Sequence, residues 1–413
     1  MKVLSLFDGM ACGMIAMQLA GMEVESYDAY EIDKYAIKTA QHNFPMIKEH
    51  GDVFGADFTQ YEGIDFLIGG SPCTYWSIAQ TKNRETVASG MGWELFSQYV
   101  RALKEAKPKY FIYENNKSMS KQIRASIDDA FGFEAICINS ALVSAQNRQR
   151  LYWVGKRNAD GTYSRVNVEQ PADRGILLKD VLDSAVARDL TSNDKAYTLT
   201  ASYDGACAWN TIERHQRNMV AEPINVTADG KAQCLRATCY KDGIRNIIAN
   251  DVDKKTGVAE PINDILQVGA MPRPDGEIST SAGFRIYSTE AKGRYLCANG
   301  GGAGAKTGLY AIPYSIEFDD NGRPIKAIGK DGKEITIYEV KDGKITIKGK
   351  QYPIKLKDGY YIIRKLTVRE CMRLQTVQEW YEFPVSDSQA YKMLGNGWTC
   401  EVIAHILKSL KEA

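Results

Sequence analysis

Short apolar runs recur along the first third of the chain. Each is followed by a stretch whose apolar residues return every three to four positions. The run 3–7 (VLSLF) leads into a helical pattern from about Ala11 to Ala20. A strand near 24–31 leads into a helix from Asp33 to about His42. The strand 64–68 (IDFLI) precedes a polar stretch and then a helix near 93–106. In that helix Phe96, Val100 and Leu103 share one face, and Pro108 stops it. A strand at 109–113, a helix near 119–131 and strands near 133–140 and 151–155 complete the block. Repeated β–α units of this kind predict a doubly wound, mostly parallel α/β sheet, Rossmann-like in outline. Such sheets bind ligands outside the carboxyl ends of their strands.

The pattern changes over 156–365. Helix signals thin out, and Asn321-Gly322, Asp331-Gly332, Asp342-Gly343 and Asp358-Gly359 punctuate alternating runs such as EITIYEV and KITIKG. Asp-Gly between such runs signals a β-hairpin. Upstream, 195–201 (KAYTLTA) resembles 231–237 (KAQCLRA) and, more weakly, 292–298 (KGRYLCA). The first two are followed by VAEPI at 220–224 and 258–262, and the third by Tyr310 to Pro313. A few duplicated β units are expected from this irregular repeat. Residues 366–413 return to helix, with a Thr367–Glu370 capping box, a turn at Gly395-Asn396-Gly397 and a last helix from about Thr399 to Leu410. The β-rich region 156–365 therefore reads as an insertion into one α/β domain formed by 1–155 and 366–413.

Composition excludes several classes. The 413 residues are 44% hydrophobic and 25% charged, as in ordinary globular proteins. No apolar run approaches the ~18 residues of a membrane helix, and strand pattern begins at Lys2 with no export signal, so no membrane association and a cytoplasmic location are expected. Nine scattered cysteines, none in a Cys-x-x-Cys pair, argue against a disulfide framework. Four histidines at no ligand spacing leave no metal site to expect. The formal net charge of +1 neither favours nor excludes nucleic acid, which needs only a local basic face.

Chemistry concentrates at the strand ends. The loop from Phe7 and Asp8 through Gly9 to Gly13 joins the first strand to the first helix. Its glycines let a ligand approach the backbone near a helix N-terminus. Glu31 ends the second strand, where a carboxylate can accept from ribose hydroxyls. Asp52 follows the next extended segment and could accept from an adenine amino group. Each acid alone is more often a solvated loop residue; in order behind a glycine loop they suggest an adenosine-containing cofactor. Ser71-Pro72-Cys73 leaves the strand 64–68 through Gly69-Gly70, and Pro72 fixes φ beside a free thiol. The polar stretch from Ser77 to Gly92 is a candidate lid hinged at Gly90-Met91-Gly92. Glu114 ends the strand 109–113. Arg148 and Arg150, two apart in extended chain, point the same way and could act as paired donors.

These residues, in this order, resemble the DNA (cytosine-5) methyltransferases, especially phage and bacterial members, with some likeness to the de novo branch. The match covers about 1–155 and 366–413. It rests on the Phe7-x-Gly9-x-x-x-Gly13 loop, Glu31, Asp52, Pro72-Cys73, Glu114-Asn115, Gln146-x-Arg148-x-Arg150, the segment from Arg369 to Gln375, and Gly395-Asn396. The resemblance implies a class I methyltransferase fold with S-adenosylmethionine as cofactor. Its contacts would be Phe7, Asp8, Gly9, Gly13, Glu31, Ile32, Asp52, Val53, Pro72, Leu95, Asn396 and Trp398. It implies catalytic roles for Cys73, Glu114, Arg148 and Arg150, and a target-recognition domain at 156–365. Thr74, Asn116, the bulky Tyr75-Trp76 pair and Gly397-Trp398 depart from the family's usual residues without removing a reacting group.

The implied reaction is attack of Cys73 on C6 of a cytosine flipped out of double-stranded DNA, with Glu114 at ring N3 and the arginines at O2. Lysines and arginines of the insertion would contact phosphates, and a few polar side chains would read base edges. A cognate restriction endonuclease is a partner the resemblance allows, and oligomeric state is left open. Two rivals stand beside this reading: an RNA cytosine-5 methyltransferase on the same fold, and a catalytically silent DNA-binding homologue.

Overall fold

The computed structural model describes residues 1–77, 84–183, 188–189, 195–224, 267–270, 285–288, 309–311, 314–319, 323–329, 334–347, 349–353, 356 and 358–412. The expected α/β alternation is present. It runs β1 (Lys2–Leu6), α1 (Cys12–Leu19), β2 (Ser26–Tyr30), α2 (Lys34–Asn43), β3 (Lys48–Glu49), β4 (Phe66–Gly69), α3 (Gly90–Ala106), β5 (Tyr110–Asn116), α4 (Lys121–Phe131), β6 (Ile136–Asn139), β7 (Gln149–Arg157) and β8 (Tyr163–Arg165). The sheet order is β3-β2-β1-β4-β5-β7-β6, with β8 beside β7. Strands β1 to β5 pair in parallel, and β7 runs antiparallel between β5 and β6.

Two apolar layers hold this sheet. Met14, Ile15 and Met17 of α1 and Ala36 and Ala40 of α2 pack on one face with Val402, Ile403, Ile406 and Leu407 of the C-terminal helix Cys400–Glu412. Phe96, Tyr99 and Leu103 of α3 and Ile123, Ile127 and Phe131 of α4 cover the other. Because helices lie on both faces, β4 is buried along its whole length, which is why its sequence reads as an unbroken apolar run. Burying a side chain such as Phe96 contributes about 2 kcal/mol. Local signals set the helix ends: Asp33 and Ser120 cap α2 and α4, and Gly132 closes α4 in the left-handed conformation.

From β1 the chain order runs outward to β2 and β3 on one side, and to β4 and β5 on the other. The switch point lies between β1 and β4, so the loops leaving these strands open onto one crevice. Those loops carry the glycine motif and Ser71-Pro72-Cys73.

A second, six-stranded sheet is ordered Lys350–Pro353, Lys344–Ile347, Ile337–Lys341, Gly359–Lys365, Met219–Ile224, Arg188–Asp189. Two three-stranded sheets lie within 267–335. The Asp342-Gly343 turn joins antiparallel strands with both φ angles positive, at 52° and 65°. Asp358 accepts from both turn amides, at 2.9 and 3.2 Å, and so serves this turn rather than forming a two-residue turn of its own. Asn321-Gly322, Asp331-Gly332 and the later copies of the repeat lie largely outside the described residues. The first copy, 195–201, forms no strand; Ala196 makes one bridge with Gln146. The Thr367–Glu370 capping box is present on the helix Val368–Leu374. No helix among the described residues is long and apolar enough to cross a membrane.

Candidate active site

Three left-handed residues, Phe7, Gly9 and Ala11 (φ 58°, 62° and 60°), coil the chain between β1 and α1. Glu31 fixes this loop from the end of β2. Its Oε2 accepts from the Gly9 amide at 2.9 Å, and Oε1 accepts from the amides of Ile32 and Asp33 at 2.8 Å each. Gly13 is demanded by packing. A Cβ there would lie 2.3 Å from Ile68 Cδ1 and 2.7 Å from the Tyr27 hydroxyl, so any larger residue would force these two buried side chains to shift. Asp52 caps the turn Val53–Gly55, and Val53 is buried with its carbonyl held by Arg101 at 2.9 Å. Ile32 is 74% exposed beside Glu31, and Phe54 presents a second exposed apolar face beside Asp52.

Asp8 sits inside this loop. Ser5 Oγ and Tyr27 OH both donate to its Oδ1 at 2.6 Å, while Oδ2 is buried with no hydrogen-bond partner. Burial pushes the Asp8 carboxyl up to about 6; the bonds from Ser5 and Tyr27 oppose the rise, and the Glu31 carboxylate adds to it. Glu49, at the end of β3, has both oxygens buried and unpartnered, and burial with Asp8 and Glu31 nearby pushes it up to about 8. The crevice at these strand ends offers unpartnered carboxyl oxygens, a coiled glycine loop and two exposed apolar side chains, which fit a ligand rich in hydrogen-bond donors.

The Asp8 shift has a testable sign. A folded pKa above the unfolded value means the native state holds the proton more tightly. Stability from this group is complete below about pH 4 and is lost as pH rises through about 6, a cost of about 3 kcal/mol at neutrality. In Asp8→Asn the amide oxygen still accepts from Ser5 and Tyr27. Urea unfolding is expected to show the variant more stable than wild type at pH 7, with the difference vanishing near pH 4. A variant less stable at pH 7 contradicts this account.

The loop after β4 and the end of β5 lie on the other side of the switch point. β4 ends at Gly69, in register with Tyr113 of β5. The chain then passes through Ser71 and the exposed Pro72 into a single 3₁₀ turn, Cys73–Tyr75. Ser71 Oγ and Tyr113 OH share a 2.6 Å hydrogen bond, and Asn115 Nδ2 donates to the Ser71 carbonyl at 3.1 Å. The loop lies directly on Glu114: a Cβ at Gly70 would be 2.7 Å from the Glu114 carbonyl oxygen and 3.0 Å from Oε2.

Arg150 faces Asn116 across the β5–β7 ladder, so its side chain lies diagonal to Glu114 on the same face. Its Nε reaches Glu114 Oε1 at 3.0 Å in a pair only 14% and 12% exposed. The indole N–H of Trp398 donates to Glu114 Oε2 at 3.0 Å. The carboxylate is thus held at both oxygens.

Arg148 does not join this pair. It is 3% exposed, and its guanidinium donates to the carbonyls of Leu199 (2.8 Å), Gly395 (3.3 Å) and Gly397 (2.9 Å). Gln375 Nε2 braces the same segment, the end of the helix Asp387–Asn396, donating to the carbonyls of Leu394 (2.6 Å) and Gly397 (3.3 Å). Leu95 is half-buried on α3 and Asn396 is exposed. Residues 78–83 of the expected lid lie outside the described residues. Gly90-Met91-Gly92 form the first turn of α3 rather than a free hinge, and Glu85 ties the Gly92 amide and the Trp76 indole to that turn. Sequence reasoning missed Ser5, Tyr27 and Gln375. Only Gln375 left a signal, as part of the segment from Arg369. Among the described residues no cluster of His, Cys, Asp or Glu is arranged to hold a metal.

The model of the family described as C-5 cytosine-specific DNA methylase matches residues 1–412. The chain is 26% identical to the orphan methyltransferase M.SPRI of Bacillus phage SPR over 450 aligned residues, covering 99% of this chain and 97% of that one. It is 30% identical to the type II methyltransferase M1.ScrFI of Lactococcus lactis subsp. cremoris over 271 residues, covering 60% and 64%. Among solved structures, the Entamoeba histolytica methyltransferase EhMeth aligns with a TM-score of 0.47 at 12% identity, covering 100% of this chain and 98% of that one.

Proposed function

The chain belongs to the C-5 cytosine-specific DNA methylase family, and we propose that Cys73, Glu114 and Arg150 are the groups with which it methylates cytosine in DNA. The observation that supports this most is the Glu114 carboxylate, gripped by Arg150 and Trp398 beside the loop that bears Pro72-Cys73.

Cytosine C5 is a poor nucleophile because the ring is aromatic. The Cys73 thiolate adds to C6, breaking the C5–C6 double bond and leaving an electron-rich C5. Charge that builds on the ring is met at N3 by Glu114, sharing a proton with the base. Arg150 has Nε on Glu114 and Nη1 on the Gln149 carbonyl, leaving Nη2 to donate to O2. Bound S-adenosylmethionine supplies an electrophilic methyl group to C5. Solvent water takes the C5 proton; the C5–H electron pair re-forms the C5–C6 double bond as the C6–S bond breaks, and Cys73 leaves as thiolate. Arg148 acts at one remove, by fixing the helix end from Gly395 to Gly397.

The cofactor would lie in the crevice. Glu31 would take the ribose hydroxyls and Asp52 the adenine amino group. The Phe7–Gly13 loop would take the methionine part, with Ile32, Val53, Pro72, Leu95, Asn396 and Trp398 around it. The base must leave the duplex to reach this site, at a cost of a few kcal/mol. Residues 1–155 with 366–413 would form most of the catalytic part, to which β7 and β8 add residues up to Arg165, and the rest of 156–365 would form the part that reads the target. Action on DNA puts the protein in the cytoplasm of a bacterial or phage-infected cell.

Bisulfite sequencing of DNA from cells expressing the chain tests substrate and target together. Cytosines within one short sequence are expected to resist conversion. Full conversion at every site, with folded protein present, would overturn the reading.

A further inference from the structure

Trp398 is assigned above to the cofactor's surroundings, but its one polar atom points elsewhere. The indole N–H reaches Glu114 Oε2 at 3.0 Å, opposite the Arg150 contact to Oε1. We propose that Trp398 is a positioning residue for Glu114. It fixes the rotation of the carboxylate so that it meets the pyrimidine edge in one orientation; the idea rests on the reaction proposed above. A single donor would leave the carboxylate free to turn about its last torsion, which is broad and roughly two-fold. Two donors on different oxygens, from two parts of the chain, remove that freedom.

The support behind Trp398 is unusually deep. Residues 394–397 just before it are gripped by Arg148 through the Gly395 and Gly397 carbonyls and by Gln375 through Leu394 and Gly397. Arg148 also holds the Leu199 carbonyl, and a Cβ on Gly395 would come within 2.1–2.3 Å of Thr200 and Ala201 backbone atoms. Just after Trp398, the Thr399 hydroxyl donates to Gln375 Oε1 at 3.0 Å. The indole is therefore anchored on both sides along the chain. The same guanidinium that anchors it touches the segment leading into the inserted sheets.

Trp398→Phe keeps a ring and deletes the donor. In single-turnover assays at saturating DNA and cofactor, the variant is expected to be slower by about tenfold, the equivalent of one hydrogen bond of about 1.4 kcal/mol. Its cofactor Kd and DNA Kd stay within about twofold of wild type. In a Glu114→Gln background the same change adds no further loss, because the proton-exchanging carboxyl group that the indole orients is already gone. An equal loss in both backgrounds, or a loss residing in cofactor Kd, overturns the proposal. Should the phenylalanine variant fail to fold, Glu114→Gln alone must shift one of the six indole N–H resonances; no shift also overturns it. Inactive wild-type protein would instead overturn the proposed function.

Discussion

Cys73→Ser abolishes methylation, with single-turnover rates falling by at least about a thousandfold, while cofactor affinity changes by less than about twofold. The asymmetry follows from where Cys73 sits. It opens a 3₁₀ turn beyond β4, on a loop anchored to β5 through Ser71, Tyr113 and Asn115. The proposed cofactor crevice is built by the loops after β1 and β2, which make their own closed set of bonds through Glu31 and Asp8. A serine hydroxyl is isosteric enough to leave both loops in place. Its oxygen is too weak an acid to supply the anion that adds to C6, whereas a thiol with pKa of about 8.5 is within reach of ionisation. DNA carrying 5-fluorocytosine at the target gives a second readout. Fluorine at C5 blocks the proton loss that frees the sulfur, so wild type stays bound under denaturing conditions and the serine variant does not. Methylation by the variant within tenfold of wild type would move the nucleophile to another residue.

Most of the α/β sheet is legible in the amino-acid sequence. Strands buried on both sides read as apolar runs, and α3 and α4 carry stripes at helical spacing. Glu31 and Asp52 are legible as site candidates because a parallel sheet delivers its strand ends to one edge; Glu114, expected at the end of its strand, lies inside β5, which runs on to Asn116 as it pairs with β7. What the chain does not encode locally is which distant segment meets each side chain. Alternation correctly puts Arg148 and Arg150 on a common face. It cannot say that one guanidinium ends on Glu114 while the other ends on carbonyls near residues 199 and 395.

The helix Asp387–Asn396 went unread for a related reason. Gly395-Asn396-Gly397 resembles a turn, yet its first two residues close a helix whose Ala390, Tyr391, Met393 and Leu394 are buried. Gly395 is there because backbone at Thr200 and Ala201 presses on it, a tertiary demand that looks like turn chemistry in one dimension. Gly13 follows the same logic, being fixed by Ile68 and Tyr27. The Ser5–Asp8–Tyr27 group had no linear signature, since its members come from two strands and a loop.

Glu114→Gln is expected to lower the single-turnover rate by about a thousandfold, within the range set by loss of a proton-transfer group. The amide has nearly the shape of the carboxylate, but the site tells them apart. Arg150 donates to one oxygen and Trp398 to the other. Glutamine has a single oxygen, so its NH₂ group must face one of these donors. A donor set against a donor in a partly shielded site costs about 1–3 kcal/mol, and the side chain turns or Trp398 shifts. The amide also cannot exchange a proton with N3 as charge appears and disappears on the ring. Glu114→Asp separates the two effects. It keeps the acid but is one methylene too short to span Arg150 and Trp398 together, so its rate is expected to lie between those of wild type and the glutamine variant. If glutamine proves as good as glutamate, Glu114 does no more than hold Arg150 in place, and the proton at N3 must come from elsewhere.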